Sequence, residues 1–574
     1  MKLLLTYCKP YTRYVLLSLV IKTVGTVMDL FIPYLLGYIL DEVVPLCTKD
    51  RIWPIFSWGS LMVLCAVLAL VGNVVANRRV SFFTRNVIEH VRGDLFDKTL
   101  SLSAAQTDSF TVPSLVARMS SDTYAVQQML NMALRAGMRA PLLLIGGVLV
   151  TLSIEPVLSL SFLLTLPFMA VIVTYISRKG IKLFREKQRK VDDMVEKVRD
   201  TFTGVRVIKA LSRTEYEKEA FAEVNRCLSH TEETANVTMA ISRPVINVFL
   251  NLGMTAVVAL GAWRVSQGQT TPGQIISFMS YFTIILNATL MLTRTFTVCT
   301  RGIAGADRIA EVMAAPADLT VTEAAKTADD APFLEFRDVT FSYNKTIPTL
   351  EHISFTLEKG QTLGIIGGTG SGKTTLIQLL LRFYDPDEGQ ILLEGRDLRA
   401  WPKAELRKKF GVVFQNDFLM ADSIAENVRF ERELDQRDLE EAASYAQALS
   451  FILEKEGGFD HPLSVKGANL SGGQRQRVLV SRALAGSPEI LILDDASSAL
   501  DYKTDAALRG AVRKNLTDTT CVVVTQRISS IRFADLILVL EQGELIGKGT
   551  DKELSESCEI YREIAASQMG EVQE

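Results

Sequence analysis

Charge is absent from four windows of the first 300 residues, 53–76, 156–177, 244–263 and 270–293. Each reaches the length of about 20 residues needed to cross a hydrocarbon core about 30 Å thick. In such a core the backbone can bond only to itself, so these windows read as membrane-spanning helices. Two further windows carry charge. Residues 14–40 contain Lys22 and Asp29, and the apolar run 140–154 reaches spanning length only by including Arg135 and Arg139. Together they make six expected spans, which puts both ends of this region on one side. The loop after the second span holds Arg78, Arg79, Arg85, Arg92, Lys98 and Arg118, and the loop after the fourth begins with Arg178, Lys179, Lys182 and Arg185. The turn at Glu155 and Pro156 carries no basic residue, so the positive-inside bias places both long loops in the cytoplasm.

Both loops are helical in pattern, with apolar residues every three or four positions between charges. They are expected to extend the spans as helices and to end in less regular stretches, 110–122 and 200–210, that touch a cytoplasmic domain. Charges inside a membrane need a partner or a wet cavity. Lys22 and Asp29 lie two turns apart on one helix face. Asp29 is open to two readings: it lines a substrate path, or it pairs with Lys22 or with an arginine of the third span. Arg135 and Arg139 are expected near the inner interface, snorkelling.

After Arg294 the polarity rises, and 301–313 reads as the helical end of the sixth span. Residues 315–332, rich in Ala, Asp, Thr and Pro, read as a linker between a membrane domain, 1–314, and a second domain, 333–574. The length of 574 residues allows this division. With 62 basic and 65 acidic residues the chain has no charge excess suited to nucleic acid. Cys8, Cys47, Cys65, Cys227, Cys299, Cys521 and Cys558 are scattered, which argues against a disulfide framework or a zinc site. Residues 1–13 show no removable signal peptide, and no leader-peptidase segment is expected before the first span.

In the second domain the run Gly367, Gly368, Thr369, Gly370, Ser371, Gly372, Lys373, Thr374 fits G-x-x-x-x-G-K-[ST]. It follows the apolar run 363–366 and precedes a helical pattern beginning at Thr375, the setting of a phosphate-binding loop. Small residues let backbone N–H groups converge on phosphate oxygens at a helix N-terminus. Lys373 is expected on the β/γ-phosphates of ATP, and the Thr374 hydroxyl on Mg²⁺. The apolar run 490–493 ends in Asp494, a buried parallel strand delivering a carboxylate to the same metal.

Leu470, Ser471, Gly472, Gly473 and Gln474, followed by Arg475, Gln476 and Arg477, resemble the signature of ATP-binding-cassette (ABC) proteins. Six spans ahead of a cassette resemble the exporter-type half-transporters of that family over nearly the whole chain. The resemblance implies a fold of a polytopic α-helical membrane domain fused to an α/β P-loop cassette, assembled as a domain-swapped dimer. It implies that Ser471 to Gln474 complete the ATP site of the opposite subunit, and that the two cytoplasmic loops carry coupling helices. Tyr343 matches the aromatic that stacks on adenine, and Gln415 matches the glutamine that senses Mg²⁺. Residues 498–501 match the loop crossing the dimer interface.

Three positions depart from the family pattern. Asp495 stands where a glutamate usually polarises the attacking water, and its side chain is one methylene shorter. Gln526 replaces the histidine that contacts the γ-phosphate; it hydrogen-bonds but cannot carry the imidazolium charge. Residues 463–467 lack a glutamate that exporters commonly place before the signature. The first two departures point to a site that binds ATP and hydrolyses it poorly. The chain therefore reads as one subunit of a heterodimeric bacterial exporter of the multidrug type in the cell membrane, moving hydrophobic or amphipathic compounds. Its partner would be a second half-transporter with an intact catalytic site. A lipid or peptide translocator, an importer of the same architecture and an ATP-gated regulator that transports nothing stay open.

Overall fold

The protein is described here by a computed structural model covering residues 2–46, 52–316, 319–322 and 331–570. Cys47 and residues 317–318 and 323–330 of the expected linker lie outside the described residues. The chain forms two compact units: Met1–Thr99 with Pro113–Ala314, and Leu100–Val112 with Ala315–Glu574.

The first unit is built of long helices: α1 (Thr12–Tyr38), α2 (Trp53–Ser101), α4 (Thr123–Ile154), α5 (Pro156–Thr203), α7 (Thr214–Ala240), α8 (Ser242–Ser266) and α9 (Pro272–Met313), with the short α6 (Val205–Ala210) between α5 and α7. The short α3 (Ala104–Phe110) follows α2 in sequence but belongs to the second unit. Among the described residues four helical stretches are long and apolar enough to cross a membrane: Leu3–Leu46, Trp53–Ser101, Val112–Ile154 and Pro272–Met313. The expected fourth and fifth spans fall in α5 and α8, of 48 and 25 residues. Side chains 161–170 and 172–178 of α5 lie outside the described residues.

Helix α9 packs against α4 and α1, while α5 packs against α7 and α8. The α1–α9 crossing is close because small residues meet there. A Cβ on Gly273 would stand 2.5 Å from the Gly37 carbonyl oxygen and 2.6 Å from Asp41 Cγ. Asp41 also holds the start of α9, accepting from the Thr271 hydroxyl at 2.5 Å and the Gly273 N–H at 2.7 Å. A carboxylate at a helix N-terminus satisfies an orphan donor and complements the dipole. Further along, Ser277 Oγ donates to the Pro33 carbonyl and Tyr281 Oη to the Leu30 carbonyl.

The intramembrane charges find hydrogen-bond partners across helices, and one of them, Arg139, forms an ion pair. Asp29 accepts from Arg139 of the third span at 2.8 Å, one of the two arrangements left open by its sequence. The arginines of α4 do not simply snorkel. Arg139 turns to Asp29, and Arg135 donates to Ser81 Oγ and to the Asn77 carbonyl of α2. The reason is polarity: Ser81, Asn77 and Asp29 offer acceptors that hydrocarbon lacks.

The second unit carries two sheets. A six-stranded sheet orders β10 (Glu544–Gly549), β9 (Leu536–Glu541), β3 (Thr362–Gly367), β8 (Thr520–Val524), β7 (Ile490–Asp494) and β6 (Phe410–Val413), with β9 to β6 parallel and β10 antiparallel at one edge. A four-stranded antiparallel sheet orders β2 (Leu350–Leu357), β1 (Leu334–Phe341), β4 (Glu388–Leu393) and β5 (Arg396–Asp397). Every residue of β7 is buried, as a central strand covered on both faces requires. The phosphate-loop helix α10 (Lys373–Leu380) contributes Leu376, Ile377, Leu379 and Leu380 to the core beneath both sheets.

The segment expected to cap the first cytoplasmic loop begins earlier than 110. Helix α3 is closed by a reciprocal cap, Ser103 with Gln106, and Gln106 Nε2 donates to the Pro316 carbonyl. The segment 200–210, expected to be less regular, holds the last turn of α5, a break at Gly204 and the short helix α6.

The α1–α9 crossing generates a prediction. Gly273→Val forces two helix backbones apart and costs about 1–3 kcal/mol by overpacking. Its apparent melting temperature in detergent should fall well below that of the parent. Gly59→Ala, whose Cβ meets nothing within 4 Å, should leave it unchanged. Equal melting of the Gly273→Val variant and the parent would refute the close crossing.

Candidate active site

Strand β3 ends at the phosphate loop, and α10 begins where the loop ends. At the junction Gly372 adopts φ 97°, and a Cβ there would strike Leu350 Cδ2 at 2.5 Å. Only glycine fits that position. The first intrahelical bond of the turn is Leu376 N–H to the Gly372 carbonyl, so the amides of Lys373, Thr374 and Thr375 have no helical acceptor. With the helix dipole behind them, they suit an anion.

The cleft here, about 240 Å³, is lined by Thr369, Gly370, Ser371, Gly372, Lys373, Thr374, Thr375, Gln415, Asp494, Asp495 and Gln526, with Thr349, Val524 and Thr525. The fold thus joins residues drawn from the phosphate loop, from the segment after β6, from the end of β7 and from the segment after β8. Gly367 closes β3 and Gly368 opens the loop, and their carbonyls accept from Lys373 Nζ at 2.9 and 2.6 Å.

The electrostatics of the cleft follow from burial. Asp494, 3% exposed, has its pKa pushed up to about 6 by desolvation and by the neighbouring Asp495, against the pull of Lys373 and a Thr374 hydrogen bond. Asp495 is raised by burial, against Arg527 and Lys373. Burial lowers Lys373, and the two aspartates oppose that shift. A buried carboxylate and a half-buried one stand next to each other near one ammonium, an arrangement that favours an added cation. The Thr374 hydroxyl, the Gln415 amide and the Asp494 carboxylate are hard oxygen donors around one buried negative charge. That set fits Mg²⁺, which usually takes one or two carboxylates and leaves its other positions to water and phosphate. When bound, the ion supplies charge neutralisation for the β- and γ-phosphates.

Asp495 is held in an unusual backbone. Its φ is 50°, and its N–H donates to the Val524 carbonyl at 2.9 Å. The left-handed region is better tolerated by Asp than by most residues. Its short carboxylate lines the cleft near Lys373. Gln526 lines the cleft, and its main-chain carbonyl accepts from Gln568 Nε2 at 2.6 Å.

Two groups of expected site residues do not line this cleft. Tyr343 is half exposed at its margin; its hydroxyl bonds Gln378 at 2.6 Å and Thr375 at 3.2 Å. The signature lies elsewhere on the cassette. Ser471 caps helix α11 (Gly472–Leu484), its side chain bonding the Gln474 N–H while Gln474 bonds back to the Ser471 N–H. Ser471 and Gly472 face solvent at that N-terminus, and Gly473 and Gln474 are half-buried.

Sequence reasoning passed over Arg527, which stands by Asp495 and whose guanidinium reaches carbonyls of Ser497 and Leu500. It also passed over Tyr384, whose hydroxyl bonds Asp108 of α3 at 2.5 Å and whose ring meets Tyr343 edge-on at 5.2 Å. Burial and Asp108 push the Tyr384 phenol up. An aromatic–acid pair some 276 residues apart leaves no local pattern to find.

The geometry is matched by known proteins. Residues 15–289 match the family described as ABC transporter transmembrane region, and residues 350–498 match ABC transporter. An uncharacterized ABC transporter ATP-binding protein of Mycobacterium tuberculosis (strain ATCC 25618 / H37Rv) is 33% identical over 580 residues, covering 99% of this chain and 98% of its own. A similarly described protein of Bacillus subtilis (strain 168), YfiB, is 32% identical over 569 residues, covering 99% and 98%. A solved bacterial Atm1-family ABC exporter with ATP bound shares the fold, with a TM-score of 0.81, 22% identity and 98% of each chain covered. A membrane region of long apolar helices and a phosphate-loop cassette, joined in one polypeptide and matched along nearly its whole length, make this chain a member of the ABC transporters.

Proposed function

We propose that the chain is one subunit of a heterodimeric exporter that uses ATP to move hydrophobic or amphipathic compounds out across the cell membrane. Its N-terminus and cassette are cytoplasmic, with a membrane domain of six spans over 1–314, a linker over 315–332 and the cassette over 333–574. One observation carries the asymmetric part of this reading: Asp495 and Gln526 line the same cleft as an intact phosphate loop. The loop binds ATP, with Thr374, Gln415 and Asp494 taking Mg²⁺, while the base and the γ-phosphate contact are both weakened. Tyr343, at the margin, stacks on adenine. The exposed N-terminus of α11, with Ser471, Gly472, Gly473 and Gln474, is free to complete the ATP site of a partner that keeps the usual glutamate and histidine.

Three outcomes test this. Alone in lipid, the chain should bind ATP and hydrolyse it slowly, with turnover restored on co-expression with its partner; brisk substrate-stimulated hydrolysis by the lone chain would sink the heterodimer.

Lys373→Ala removes a charge-assisted phosphate contact at the chain's own site. Transport by the pair should slow without ceasing, whereas Ser471→Arg should abolish it by blocking the partner's site. Equal losses would argue that the two sites are equivalent.

Asp495→Glu with Gln526→His lengthens the base and returns a γ-phosphate contact. The left-handed backbone at 495 costs glutamate a few tenths of a kcal/mol more than aspartate, roughly, a small penalty beside the added reach. Single-turnover hydrolysis, with the partner's catalytic glutamate removed, should rise by at least about tenfold, the lower end of what a positioned base contributes. No rise would place the weakness in the partner's signature.

A further inference from the structure

The apolar spans hold an unbalanced charge. Across 14–40, 53–76, 135–154, 156–177, 244–263 and 270–293 the cations are Lys22, Arg135 and Arg139, and the one carboxylate is Asp29. Three against one leaves two positive charges without a counter-ion. Lys22 is 4% exposed, and its Nζ meets a neutral acceptor, Asn77 Oδ1, at 3.0 Å. Among the described residues Arg135 has Ser81 and the Asn77 carbonyl, both neutral. Arg139 takes Asp29, which Asn73 also approaches at 3.4 Å. The Nε atoms of both arginines are buried without an acceptor among the described residues. Guanidinium groups do not shed their protons, and a buried charge is strongly unfavourable unless paired.

The same helix faces continue into a cavity whose lining is apolar around Leu30, Phe31 and Leu149 and polar at its far end. Arg135, Arg139, Leu149 and Ser153 repeat along one stripe of α4 at helical spacing. Leu149 and Ser153 line a cavity of about 610 Å³ with Val27, Leu30, Phe31 and Tyr281. Ten residues of helix, about 15 Å, separate Arg139 from Leu149. Two carboxylates, Asp41 and Glu42, lie at the cavity's far end, and Asp41 caps α9.

We propose that this cation cluster and cavity together bind an amphipathic organic anion as the transported compound. Its carboxylate, sulfonate or phosphate head lies among Lys22, Arg135 and Arg139, and its apolar tail runs toward Leu30, Phe31 and Leu149. The inference rests on the reading of the chain as an exporter of amphipathic compounds and names their charge. The head supplies the counter-charge that the spans lack, and the length of the stripe selects a tail over a small inorganic ion.

The test uses the full-length chain in phosphatidylcholine nanodiscs without nucleotide, titrated with dansyl-tagged undecanoate and with the dansyl-tagged undecylammonium of equal length. The anion should bind at least about tenfold more tightly, the effect of one charge-assisted hydrogen bond. Lys22→Met keeps the packing and removes a buried charge. It should hold or raise the melting temperature while weakening undecanoate about tenfold and leaving the ammonium probe unaffected. Arg135→Gln should act alike. Equal affinity for the two probes, or no loss in Lys22→Met, overturns the inference. Phosphatidylglycerol added to the disc separates two sources of the same chemistry: competition with undecanoate identifies a lipid head as the occupant, and no competition identifies a free amphiphile. Binding is read without ATP, so its failure is distinct from a failure of ATP-driven release, which would count against the exporter reading and leave the site standing.

Discussion

Hydrocarbon offers a backbone no partner but itself, and that constraint orders the first half of the molecule. Helices are forced, and their number follows from how many apolar stretches the chain can supply. Once helices fill the spans, the few polar side chains left inside must find one another. Asp29 reaches Arg139, and Asn77 accepts from both Lys22 and Arg135. These contacts tie α1, α2 and α4 at a level where dispersion alone would let them slide. The close α1–α9 crossing at Gly37 and Gly273 adds packing to the same bundle.

In the cassette the organising demand is opposite in sign. A fully buried parallel strand, β7, is followed by charge, and the apolar run places Asp494 at the carboxyl edge of the sheet beside the loop that ends β3. Ligands of open α/β sheets bind at that edge because strands end there and helix N-termini begin. Burial and the neighbouring Asp495 raise the Asp494 pKa, so a cation at this position is favoured.

Much of this was legible beforehand, for reasons that differ by region. Charge-free windows marked α2 and α9 because a span needs length and composition, not partners. The phosphate loop and Asp494 were legible because their chemistry depends on residues close in sequence. The partner of Asp29 was not, since two acceptable partners differed only in three-dimensional placement. Nor was the start of the cytoplasmic segment: Ser103 and Gln106 form a reciprocal cap, yet they sit in a run whose periodicity resembles the helix before it. Arg527 was missed for another reason. Its role comes from the backbone turn at Asp495, whose positive φ no residue pattern announced.

The segment 100–112 shows how a nucleotide site is wired to a loop from the membrane half of the chain. It groups with the cassette, through Gln106 to the Pro316 carbonyl and Asp108 to Tyr384. Tyr384 packs edge-on against Tyr343, and the Tyr343 hydroxyl bonds Thr375 and Gln378 of α10. Edge-to-face rings with hydrogen-bonded hydroxyls have little freedom to shift singly. A shift of the Tyr343 ring therefore disturbs Tyr384 and, through it, Asp108. The path is two side chains long and bonded at both ends.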